Sequence, residues 1–250
     1  MGLGVYAAGP YGDAMSMLRP FLQACRGAAV LVGLLAIAGC TRSLTQAELA
    51  LSSKLHGDTL DPAPITVVQN PFIGLFPITF NARPRTTCRE RIGPPRSGRI
   101  TAATGGIVLF ERLLLSPDAW QPDYAATYGP EAVIDLPAAM FLIHELTHVW
   151  QWQNRALTGY HPRRAFKEQI TIDDPYLFDT DAEQPFLSYG YEQQASLVEE
   201  YLCCAVLDPD GARTERLKHL LRQVMPVAEP RTLTRPAWVP YTEDVPGICS

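Results

Sequence analysis

Between Ser43 and Leu55, the apolar residues Leu44, Ala47, Leu51 and Leu55 recur at helical spacing, which predicts a short amphipathic helix stopped by Gly57-Asp58. A denser pattern follows Asp135. Met140, Phe141, Leu142, Ile143, Leu146, Val149 and Trp150 leave few polar faces, so the helix they predict is deeply buried. Asp135 can cap it, Pro137 sits in a first turn where its missing N–H costs nothing, and Gly159 ends it just after Leu157. Tyr191 to Leu207 predicts a second strong helix, closed by Asp208-Pro209-Asp210-Gly211, and Ala212 to Val224 a third, charged on one side. Ile65–Val68, Ile78–Phe80 and Gly106–Phe110 are short β-rich runs and predict strands. Arg83–Arg99 and Pro117–Pro130 read as loops, Thr158–Gly190 as one long connection, and the segment from Pro226 holds too much Pro for a regular element. The expectation is an α+β domain over residues 40–225 followed by a Pro-rich tail over 226–250.

The first 39 residues follow a different pattern. Arg19 and Arg26 precede the apolar run Ala28–Ala38, and eleven residues of helix span only ~16 Å against a bilayer core of ~30 Å. A positive flank, a short apolar core and small residues before Cys40 predict a cleaved signal peptide over 1–39, with Met15 or Met17 as alternative starts. The ending Ile37-Ala38-Gly39-Cys40 resembles the bacterial lipobox. That resemblance implies lipidation of Cys40 and an exported protein anchored to a membrane. Thr41 rather than Asp after the Cys implies the periplasmic face of the outer membrane.

Export changes the reading of the cysteines. Cys25 leaves with the signal, and Cys88, Cys203, Cys204 and Cys249 remain for one or two disulfides in an oxidising compartment; adjacent Cys203 and Cys204 are not expected to pair with each other. A formal net charge of −5 argues against a general nucleic-acid binder. The arginines between 83 and 99 read as a solvated surface.

The chemistry sits in the buried helix. His144-Glu145-Leu146-Thr147-His148 is H-E-x-x-H, and two His one turn apart can reach a single zinc ion. Glu145, rotated by about 100°, stands beside such an ion as a general base. Catalytic zinc needs a third protein ligand. Glu192, Glu199 and Glu200, then His161, Asp173, Asp174 and Asp179, are the candidates. Glu192 is preferred because it opens the second helix. Glu199, two turns on, is the alternative, or an acceptor that orients His144 or His148; Glu200 reads as solvated. Tyr189, Tyr191 and His161 are candidate oxyanion donors, and Trp152 a candidate cleft wall.

His144-Glu145-Leu146-Thr147-His148-Val149-Trp150-Gln151, with the later Tyr191-Glu192-Gln193-Gln194-Ala195, resembles the gluzincin-type proteins, in particular small bacterial metallopeptidase-like members. The likeness spans roughly Leu44–Leu207 and is sharp only in those two segments. It implies a zincin fold, a small and mostly antiparallel sheet over the first helix with the second behind, and Glu192 as third ligand. The supporting Asp usual four residues after that Glu is Ser196 here. The implied function is a zinc metallopeptidase of the cell envelope acting on peptide or protein substrates. The alternative is a lipid-anchored zincin-like lipoprotein without turnover.

Overall fold

In the computed structural model, which describes Cys40–Ser250 apart from Ala182 and Glu183, the first half of the chain is mostly strand. It runs β1 (Thr41–Arg42), α1 (Gln46–His56), β2 (Thr66–Gln69), β3 (Ile78–Asn81), α2 (Cys88–Ile92) and β4 (Arg99–Ala102). Then come β5 (Gly106–Leu109), β6 (Arg112–Leu115), β7 (Thr127–Tyr128) and β8 (Val133–Asp135). The second half is mostly helical: α3 (Leu136–Gln153), α4 (Arg155–Thr158), α5 (Pro162–Thr171), α6 (Tyr191–Leu207), α7 (Ala212–Leu221), α8 (Pro230–Leu233) and the short β9 (Ala237–Trp238). The class is α+β with small sheets. The expected signal peptide lies outside the described residues; Cys40, exposed and unpaired by disulfide, is the first of them.

Local chemistry explains the helix starts. Thr45 accepts from the Glu48 N–H while Glu48 accepts from the Thr45 N–H, a reciprocal cap that fixes the first turn of α1. Asp135 accepts from the Ala138 N–H, and Pro137 occupies the first turn of α3. From Leu136 to Gln151, α3 is buried almost all round, with Leu146, Val149 and Trp150 fully enclosed. Its main partner is α6, which contributes Val198, Tyr201, Leu202 and Ala205 to the same core. The two helices run antiparallel, since His144 meets Glu199 while Gln151 meets Tyr191 and Gln194.

On the other side of α3 lies a four-stranded sheet in the order β1-β2-β6-β5, with Val67, Leu113 and Leu115 facing the core. The sheet is mostly antiparallel, with one parallel pair at its middle. β2 and β6 pair in parallel, with Val67 opposite Leu113, while β1 and β5 add antiparallel on either edge. A crossover through β3, α2 and β4 makes the parallel pairing possible. β5 is left as an edge strand over α3, and Ile107 and Leu109 point outward.

Three segments differ from the sequence expectation. Residues 83–99 contain α2, capped by Thr87 and tied down by the Cys88–Cys203 disulfide. The connection from Thr158 to Gly190 contains α5, opened by His161, whose Nδ1 accepts from the Arg163 N–H. Residues 226–250 are no loose tail. They carry α8 and β9, bury Val227, Leu233 and Ile248, and are joined to α6 by the Cys204–Cys249 disulfide. Proline spacing in that stretch hid contacts that only the folded chain supplies. Among the described residues, no helix is long and apolar enough to cross a membrane.

Candidate metal centre

His144 and His148 project from one side of α3, and their Nε2 atoms stand 3.3 Å apart. Glu192, in the first turn of α6, brings Oε2 to 3.1 Å from His144 Nε2 and 3.2 Å from His148 Nε2. Among the described residues these three form a group able to hold a metal ion. The first turn of α6 is fixed from α5, because the Glu168 carboxylate accepts from the Tyr191 and Glu192 N–H groups.

The outer nitrogens decide what faces the centre. Gln151 donates through Nε2 to the Tyr191 carbonyl and to Gln194 Oε1, which turns its own Oε1 toward His148. His148 Nδ1 therefore donates to Gln151, at 2.9 Å. His144 Nδ1 donates to Glu199 Oε2, at 3.0 Å. With both Nδ1 atoms carrying the proton, both Nε2 lone pairs and a carboxylate oxygen point at one another. Such a cluster of acceptors, buried together, requires a cation between them. Two imidazole nitrogens and a carboxylate oxygen are a donor set suited to zinc.

Without a metal, a proton takes that place. Burial disfavours charge on His144, but its hydrogen bonds and ion pairs with Glu192 and Glu199 outweigh it and raise the group to about 10. Burial likewise opposes charge on His148, and Glu192 raises it all the same. Against its own burial, Glu192 is held well below the usual carboxylate range by the two imidazoles. Glu199 is also lowered against burial, first by the Arg89 guanidinium.

Glu145 lies against β5. Burial raises its carboxyl, with the two imidazoles opposing. Gly106 makes the room. A Cβ there would stand 3.0 Å from Glu145 Oε1 and 2.8 Å from Leu115 Cδ2. Two cavities flank the centre and share His144, Glu145, Gly106 and Tyr176. One, of about 570 Å³, is walled by Phe141, Met140 and Ile92; the other, of about 370 Å³, lies between β5 and α5.

No family model matches the chain. A curated relative is the type VI secretion system spike protein VgrG2b of Pseudomonas aeruginosa, 24% identical over 188 residues. The match takes in 72% of this chain but only 15% of that protein, so the chain spans a small part of the relative's length. Among solved structures, the effector domain of Pseudomonas aeruginosa VgrG2b aligns with 82% of this chain and 96% of its own, at 20% identity and a TM-score of 0.45.

The relative is a secretion-system spike protein. That match corrects the kinship inferred from the two helical motifs, with the small gluzincin-type metallopeptidases. The function drawn from that kinship, a zinc metallopeptidase of the cell envelope carried by a lipoprotein, is corrected with it. Short motifs constrain local ligand geometry; they do not carry a lineage or a substrate.

The remaining candidates fall as follows. Glu199 sits behind His144, not at the centre. Glu200, expected to be solvated, is buried and accepts from the Cys88 N–H and from Arg213. Ser196 stands where a supporting Asp was looked for, and Gln151 and Glu199 serve the two imidazoles instead. Tyr191 donates to the Gly159 carbonyl, and His161 caps α5, so neither hydroxyl nor ring faces the cleft. Trp152 stacks on Phe110 and bonds Glu111, outside both cavities. Sequence reading missed Tyr176. Its ring lies 5.8 Å from that of His144 and under the Arg83 guanidinium, 4.8 Å away. An Asp-Asp-Pro-Tyr loop offers no periodic signal that could have singled it out.

Proposed function

We propose that the chain is an effector-type domain related to the one carried by VgrG2b, and that its working part is a zinc-dependent enzymatic centre at His144, His148 and Glu192. The observation that carries this reading is the convergence of three acceptor atoms within 3.3 Å of one another, with both outer imidazole nitrogens already committed as donors. The relative's effector domain motivates the biological half of the reading. The two disulfides support work in an oxidising compartment reached after export. An edge strand laid over a His-bearing helix, with a second acidic helix behind, supports a zincin-like form of the α+β fold.

A zinc ion in this donor set would supply Lewis acidity. Glu192, His144 and His148 would hold it. Glu199 and Gln151 keep the two imidazoles in the ligating tautomer. Glu145, whose carboxyl burial raises, would take a proton from a group in the cleft and return it. Tyr176 and Tyr160 line the same cleft.

Expression of the full chain in bacterial cells, directed either to the cytoplasm or to the periplasm, tests the reading. Wild type is expected to arrest growth in the periplasm, and Glu145→Gln to relieve the arrest while retaining about one zinc per chain. Harmless wild type that holds zinc, or equal toxicity of Glu145→Gln, contradicts it.

A further inference from the structure

Glu199 is a buried carboxylate whose function depends on what neutralises it. Its Oε2 accepts from His144 Nδ1, and the Arg89 guanidinium approaches the same oxygen at 3.4 Å. Arg89 belongs to α2, five residues long and far too short to be stable alone. Two bonds fix α2 on α6. The Cys88 N–H donates to the Glu200 carboxylate, and Cys88 is joined to Cys203. The register is the important feature. Cys203 follows Glu199 by one helical turn, so both lie on the same face of α6, while Cys88 and Arg89 are neighbours in α2. Closing the disulfide therefore sets Arg89 against Glu199.

We infer that the Cys88–Cys203 disulfide, acting through Arg89 and Glu199, holds His144 in its ligating orientation, so that the metal centre is complete only when this bond is closed. The inference rests on the metal-centre reading above. Arg89 is a positioning residue; it does not touch the metal. The chain is synthesised with Cys88 and Cys203 as thiols, and in a reducing compartment Arg89 is held only through the Cys88 N–H, leaving Glu199 with His144 but without a fixed guanidinium. On delivery to an oxidising compartment, the two thiols give up two electrons and two protons to a protein disulfide oxidant, and one S–S bond forms between them. The second pair reaches α2 only at its far end, where Arg91 donates to the Ile248 and Asp244 carbonyls beside Cys249. Cys204 and Cys249 join α6 to the C-terminal segment, and Cys204 meets Glu200 and not Glu199.

The test uses the full chain, with Zn²⁺ alone for affinity and Co²⁺ alone for the visible spectrum of the ligand field. Cys88→Ser with Cys203→Ser, and separately Arg89→Met, are each expected to weaken zinc binding about 10–100-fold and to shift the Co²⁺ bands. Arg89→Lys recovers part of the loss. Cys204→Ser with Cys249→Ser, which leaves Arg89 and Cys88 tied to α6, weakens binding far less. Wild-type affinity in the Cys88/Cys203 variant overturns the inference, as does equal weakening by the two cysteine pairs. If the Cys88/Cys203 variant fails to fold, Arg89→Met with both disulfides closed decides the matter, and unchanged affinity there overturns it. A wild type that takes up no zinc refutes the metal-centre reading instead.

Discussion

Each imidazole at the centre has two nitrogens, and what the outer one touches decides what the inner one can do. Gln151 and Glu199 take the outer protons, and the inner lone pairs of His144 and His148 then face Glu192. In the metal-free chain a proton bridges this gap, which sets the pH dependence. His144 is raised from an ordinary 6.5 to about 10, so its contribution to stability is fully present below pH 6.5 and is lost as pH rises through 10. On the proposed reading zinc competes with that proton, so its stabilisation grows over the same window. Urea midpoints of chelated chain are expected to fall between pH 6.5 and 10, and those of zinc-loaded chain to hold steady; a flat chelated curve would contradict the assignment. At this scale the sequence was informative where spacing alone fixes geometry. H-E-x-x-H on an apolar helix was enough to place His144, Glu145 and His148. Gln151 went unrecognised because its role depends on which way Gln194 turns it. Tyr176 was missed because it comes from an irregular loop.

At the scale of elements, α3 and α6 were legible because their apolar runs are long and their ends are marked, by Asp135 and Pro137 before α3 and by Asp208-Pro209-Asp210-Gly211 after α6. The parallel pairing of β2 with β6 was not, since short strands carry no sign of direction and a crossover has to be seen in three dimensions. Helix α5 was missed because its apolar stripe is only one turn long, Phe166 and Ile170, and lies in a short segment otherwise rich in charge; in the fold none of its residues is buried. Edge strand β5 and α3 fit together through a missing side chain at Gly106. Gly106→Ala would push a methyl group into Glu145 and Leu115. It is expected to lower unfolding stability by about 1–3 kcal/mol with zinc content unchanged, measured by denaturant titration and elemental analysis. Wild-type stability in that variant would mean that β5 does not press on Glu145.

Over the whole molecule, residues 40–250 build the centre from both halves of the chain. The strand-rich half supplies Gly106, Arg83 and Arg89; the helical half supplies the ligands and their acceptors. Cysteine count alone left three pairings open, and geometry selects Cys88–Cys203 and Cys204–Cys249. Lineage was the least legible property, because two short motifs resembled one family while 188 aligned residues match a protein of another kind. Both claims about the molecule, a nitrogen- and oxygen-ligated zinc and cysteines kept for disulfides, meet in one measurement. X-ray absorption of the zinc-loaded full chain should give only light-atom neighbours at about 2.0–2.1 Å, including two imidazoles. Sulfur scattering at about 2.3 Å would instead place the ion among Cys88, Cys204 and Cys249 and contradict the account.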